Sequence, residues 1–124
     1  MKELTKAEEQ VMKHLWKLEN AYLKDIVEQY PDPAPAYTTI STVVNVLVKK
    51  GFIGFEKHGK VRQYHPTISK DEYTRFSLRG MVDSLFDKSA RKFASFFASQ
   101  KDLSVEELQE IRRLIDQQIE ERKK

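Results

Sequence analysis

The chain has 124 residues, 40% of them hydrophobic and 33% charged, a composition that suits one small globular protein or two small domains and argues against disorder. It has no cysteine, which excludes disulfides, thiolate nucleophiles and sulfur-ligated metal or iron–sulfur sites. The formal charge is +3 and the pI about 9.0, which permits a polyanionic partner without requiring one.

The placement of that charge says more than its size. Between Lys49 and Arg62 stand Lys49, Lys50, Lys57, Lys60 and Arg62 against Glu56 alone, so this stretch carries more than the whole chain's excess. No apolar run approaches the roughly 20 residues needed to cross a bilayer, and MKELTKAEEQ at the start contains no signal-type apolar segment, so a cytoplasmic protein is expected.

Thr5-Lys6-Ala7-Glu8 has the capping-box pattern, and Val11, Met12, Leu15, Trp16 and Leu18 follow at helical spacing, predicting a first helix to about Glu19. A shorter helix fits Leu23 to Tyr30, with Leu23, Ile26, Val27 and Tyr30 inward and Pro31 as its stop. PDPAPA, residues 31 to 36, reads as a stiff loop.

A third helix is expected from about Tyr37 to Lys50. Stepping about 100° per residue groups Ile40, Val43, Val44 and Leu47 on one side and Thr38, Ser41, Thr42 and Asn45 on the other. Gly51 behind Lys49-Lys50 is the expected stop. In FIGFEKHGKVRQYHP, Phe52, Ile53, Phe55, Val61 and Tyr64 suit strands, and His58-Gly59-Lys60 suits a tight basic turn. Three helices followed by a basic hairpin is the order of a winged helix-turn-helix.

Beyond Pro66 the pattern becomes helical throughout. Ser69-Lys70-Asp71-Glu72 and Ser104-Val105-Glu106-Glu107 are further capping boxes, with a helix of about Lys88 to Ser99 between them and a frayed end over Glu120 to Lys124. The expected architecture is therefore mainly α. A winged helix-turn-helix domain is expected over residues 1–68, followed by a three-helix region over 69–124.

An uncharged helical face of Ser, Thr and Asn is, taken alone, ordinary solvated surface. Placed between two helices and a basic hairpin it gains a function. Short side chains let a helix backbone approach the major groove, where Ser and Thr bond bases or phosphates and Asn pairs with adenine. Thr38, Ser41, Thr42 and Asn45 are accordingly the base-contact candidates. Lys49, Lys50, Lys57, His58, Lys60 and Arg62 are the phosphate-contact candidates.

LTKAEEQVMKHLW, YTTISTVVNVLVKKGFI and GKVRQYHP together resemble the penicillinase repressor family, and LSVEELQEIRRLI extends the resemblance to nearly the whole chain. The resemblance implies a transcriptional repressor that acts as a homodimer on a palindromic operator. It also implies that the third helix is the recognition helix, residues 56 to 63 the wing, and the C-terminal helices the dimer interface. Two departures stand out, one in the recognition helix and one at the induction site. In the helix, Val46 occupies a position where many members carry Arg, and Thr38 and Ser41 occupy positions that are often basic, so no operator sequence can be transferred.

Resistance-controlling members are cut at an Asn-Phe bond after a membrane sensor protease is activated. The matching stretch KFASFFASQ has Phe96 before Phe97, which makes Phe96-Phe97 a weak candidate cleavage site against simple core packing of Phe93, Phe96 and Phe97. The Cys-x-Cys pair of the copper-responsive branch has no counterpart here.

Candidate dimer-interface residues are Tyr73, Phe76, Met81, Leu85, Leu108, Ile111, Ile115 and Ile119, too many large apolar groups for three short helices to bury alone. A two-fold dimer would set two recognition helices roughly 34 to 36 Å apart. His14, His58 and His65 have no carboxylate partners at metal-ligand spacing, and no phosphate loop or catalytic triad is apparent, so neither an enzyme nor a cofactor is expected. Two other readings remain open. A small ligand could bind among the aromatics of residues 73 to 97, or the winged helix could contact protein instead of DNA.

Overall fold

The computed structural model describes residues Met1–Lys124 and resolves into two compact units, Met1–Ser77 and Leu78–Lys124. The first unit begins with α1 (Lys6–Leu18), β1 (Ala21–Tyr22), α2 (Leu23–Glu28) and α3 (Tyr37–Lys49). It continues with β2 (Ile53–His58), β3 (Val61–Pro66) and the first half of α4 (Lys70–Leu85). Both members of the Thr5/Glu8 capping box are formed at the start of α1, satisfying amides that the helix itself cannot.

The three helices converge on Val11, Met12, Leu15, Ile26, Ile40, Val44 and Leu47, all essentially without solvent exposure. These are the stripes expected from the sequence for the three helices. The wing sheet closes the core with Phe52, Ile53 and Tyr64.

One element was not foreseen. Ala21 and Tyr22 pair antiparallel with Tyr64 and Gln63, turning the expected hairpin into a three-stranded sheet of order β1-β3-β2. Two residues are too few to show alternation, so their strand character comes only from the partner edge. The helix expected to reach Tyr30 ends at Glu28.

Gly51 ends α3 with a complete Schellman motif. Its φ is +83°, its amide donates to the Val48 carbonyl at 3.1 Å, and the Phe52 amide donates to Leu47 at 3.0 Å. The chain is thereby reversed straight into β2. At the wing tip His58 pairs with Val61 around Gly59 and Lys60, and only Gly59 has positive φ, the pattern of a type II′ turn.

The division between the units falls inside α4, later than the boundary at residue 68. Tyr73 is the reason: it is buried in the first unit, accepts the Leu4 amide on its hydroxyl at 2.8 Å, and lies among Trp16, Phe52 and Phe76. The Trp16 indole donates to the Ile68 carbonyl at 2.8 Å, a second tie between α1 and the approach to α4.

The second unit holds the rest of α4, α5 (Ala90–Ala98) and α6 (Val105–Lys123). Ser89 caps α5, and Ser104 with Glu107 forms the capping box of α6. Helix α6 remains regular to Lys123, across residues expected to fray, with Lys123 and Glu120 paired at 3.7 Å. No residue of this unit is buried. No helix of the chain is long and apolar enough to cross a membrane.

Candidate nucleic-acid interface

Burial of Ile40, Val44 and Leu47 turns the opposite side of α3 outward, where Thr38, Thr42, Asn45 and Lys49 are all exposed. At about 100° per residue these four lie within roughly 60° of one another, so they form a single ridge. Ser41 flanks the ridge and is half-buried. Thr42 donates its hydroxyl proton to the Thr38 carbonyl at 2.9 Å, which fixes its side chain on the helix. Thr39 and Val46, which were not among the base-contact candidates, are exposed beside the ridge. The helical angle already placed Val46 next to Thr42, but in the sequence it was marked only as a valine where many family members carry Arg.

The phosphate-contact candidates are all exposed and separate by their partners: Lys49, Lys57, Lys60 and Arg62 make no ion pair, and His58 meets one carboxylate, Glu56. The Arg62 guanidinium rests on the Phe55 ring, 4.1 Å from its centroid, which holds the cation near the wing surface. His58 has Glu56 at 3.8 Å and the Tyr22 ring at 6.3 Å, so it belongs to the sheet's flank as well as to its tip.

Lys50 has a different occupation. Its Nζ lies 2.6 Å from Oε2 of Glu8, a carboxylate that is only 5% exposed and that also caps α1. Burial pushes the Glu8 carboxyl pKa up, but the Lys50 and Thr5 hydrogen bonds outweigh it and hold the group below its ordinary value. Lys50 therefore pins the end of α3 to the start of α1.

Between the wing, α2 and the start of α3 lies a groove of about 640 Å³, lined by Tyr22, Leu23, Lys24, Tyr37, Lys60, Val61, Arg62 and Tyr64. Three cations and three tyrosines face it, with no carboxylate in its lining. Lys24 and Tyr37 were missed in the sequence because nothing local marks them. Lys24 reaches the groove because β1 docks on β3 and draws the start of α2 against the wing, and Tyr37 enters it as the first residue of α3. The surface formed by this groove and the α3 ridge is suited to a polyanion with a readable face, cations at the margin and short polar groups at the centre.

The second unit presents the other candidates. Met81, Leu85, Ile115 and Ile119 are exposed, while Leu108 and Ile111 are half-buried. Tyr73 and Phe76 instead belong to the core and margin of the first unit. Ile111, Leu114, Ile115 and Ile119 line a shallow apolar trough along α6. The C-terminal aromatics pack on one another, with Phe86 centred 5.5 Å from both Phe93 and Phe96, and Phe93 stacked at 6.1 Å on Phe97. The Phe96-Phe97 bond sits near the end of α5, and both side chains are exposed, so they do not form a closed core within this unit. No group of three or more His, Cys, Asp or Glu gathers anywhere in a metal-binding arrangement.

The penicillinase repressor family model matches residues 4–117. The chain belongs to the penicillinase repressor family. Among its relatives in that family, the methicillin resistance regulatory protein MecI of Staphylococcus aureus is 26% identical over 117 residues, spanning 92% of this chain and 94% of that protein. The penicillinase repressor of Bacillus licheniformis is 23% identical over 116 residues, spanning 93% and 91%. The solution structure of the DNA-binding domain of the repressor BlaI matches 59% of this chain and 94% of its own length, with 30% identity and a TM-score of 0.51. The monomeric form of Bacillus licheniformis BlaI in complex with the blaP half-operator matches 58% and 89%, with 29% identity and a TM-score of 0.50. The winged-helix architecture expected from the sequence is that of these family structures.

Proposed function

We propose that this family member is a sequence-specific DNA-binding transcriptional repressor that acts as a homodimer on a palindromic operator. The observation that carries DNA binding is the pairing of an uncharged, short-chained outward ridge on α3 with cations around it at Lys49, Lys60 and Arg62 that no carboxylate neutralises. A related repressor with the same winged helix has been captured on a half-operator, which supports the reading.

Dimerisation rests on the second unit. Leu78, Met81, Leu85, Leu114, Ile115 and Ile119 are each more than a third exposed, and a helical unit with no buried residue lacks a core of its own. A second copy of the same helices supplies the missing surface under an isologous two-fold. The first unit is then the DNA-binding part and the second the dimerisation part.

Relief of repression by a membrane sensor protease cutting at Phe96-Phe97 completes the proposal. The exposed phenylalanines are accessible, and a cut there would detach α6 from the rest of the interface. Sedimentation together with fluorescence titration of duplex DNA tests the core of this reading. A dimer whose affinity for one duplex class exceeds that for random DNA is the expected result, and a monomer binding every duplex alike would overturn it. For the protease step, a fragment ending at Phe96 should accumulate in host cells exposed to the inducing signal; an intact chain during full induction would reject cleavage.

A further inference from the structure

The outward face of α3 is less polar than its sequence suggests. Thr42 spends its only hydroxyl proton on the Thr38 carbonyl, so that hydroxyl has no proton left to donate to a base. One turn further on, Val46 is 37% exposed, although the same helix buries Ile40, Val44 and Leu47 almost completely. Residues four apart on a helix are neighbours, so Thr42 and Val46 lie side by side on the exposed face. Asn45 adjoins them and is the ridge's one side-chain amide.

We propose that Val46, beside Thr42, reads the 5-methyl group of a thymine in each operator half-site, and is thereby a specificity-determining residue. The proposal rests on the DNA-binding reading above. In the major groove the thymine methyl is the apolar feature that distinguishes its base pair, and apolar contact is the way a side chain recognises it. An isolated valine on a solvated helix gains nothing from exposure, whereas against a thymine methyl it loses water on both sides. Lys49 on the same ridge and the Lys24, Lys60 and Arg62 groove supply the charge that brings DNA to this face.

The test uses the full chain and the duplex that it enriches from a random pool, with each thymine replaced singly by deoxyuridine, which removes only the methyl. Wild type should lose about four-fold in affinity per half-site at one thymine position, the value of one buried methyl. Val46→Ala should weaken binding to the thymine duplex and show no further loss on the deoxyuridine duplex. Val46→Thr, similar in shape, should retain most of the discrimination, and circular dichroism should show all variants equally folded. If the chain enriches a sequence but deoxyuridine is neutral at every position, or if the Val46→Ala and deoxyuridine losses simply add, the methyl contact is wrong while DNA binding stands. Failure to enrich any sequence would overturn the DNA reading itself, and this proposal with it.

Discussion

Lys49 and Lys50 are adjacent, chemically identical and assigned opposite work, so substituting each in turn separates interface from scaffold. Lys50→Met removes the partner of a carboxylate whose side chain is only 6% exposed, through a contact of 2.6 Å. A hydrogen bond to a charged group contributes about 1.5 to 3 kcal/mol. The Lys50 side chain is itself 37% exposed and solvent screens part of the pairing, while Thr5 still donates to Glu8, so the lower end applies, about 1.5 kcal/mol. For a unit of this size that lowers the thermal midpoint by roughly 6 to 12 °C.

Lys49→Ala touches no ion pair and should leave stability within about 0.5 kcal/mol. It should instead reduce the slope of log affinity against log salt by about 0.9 per phosphate contact, or about 1.8 for a dimer. Thermal circular dichroism and fluorescence anisotropy between about 50 and 200 mM salt read the two effects separately. A Lys50→Met variant as stable as the parent, or one that flattens the salt slope while Lys49→Ala does not, would refute this division of roles.

Other consequences are equally direct. Gly51→Ala, at a φ of +83°, should cost about 1 kcal/mol in urea unfolding, since a side chain there forces a left-handed backbone. Stability should decline on acidification in two windows. Burial and nearby Lys17 depress the His14 pKa below 6.5, so the unfolded chain takes up that proton first and stability is lost as the pH falls below 6.5. The Glu8 pKa lies below 4.5, so its pairing is intact above that value and is lost as the pH falls through the folded pKa. His14→Gln should remove the first slope and Glu8→Gln the second, which urea titration across the range will show. A chain ending after Ser77 should remain folded and monomeric, whereas one ending at Ser69 loses the buried Tyr73 and should be markedly less stable by thermal melting.

What could be read in the sequence was whatever local periodicity dictates. The core stripes of α1 and α3, the Gly51 stop, the wing turn at Gly59 and three of the capping boxes needed only neighbours within a few residues. What escaped depended on distant partners. Strand β1 exists because β3 offers it an edge, the Tyr73 side chain is claimed by the Leu4 amide, and Lys50 by Glu8, separations that no local pattern records. The outward ridge was visible as a set of polar residues. Val46 stood out only against the family pattern, as a valine where many members carry Arg, and its own chemistry did not mark it as a contact.

Selection of bound duplexes from a random pool asks whether the proposed α3 ridge reads base sequence in a two-fold arrangement. One inverted repeat should be enriched, with half-site centres about 10 to 10.5 base pairs apart or a multiple of that. Asn45→Ala should lose roughly 1 to 3 kcal/mol on that sequence and little on random DNA. A pool that emerges without any preferred sequence, or an Asn45→Ala loss that is equal on all DNA, would contradict base reading by this ridge.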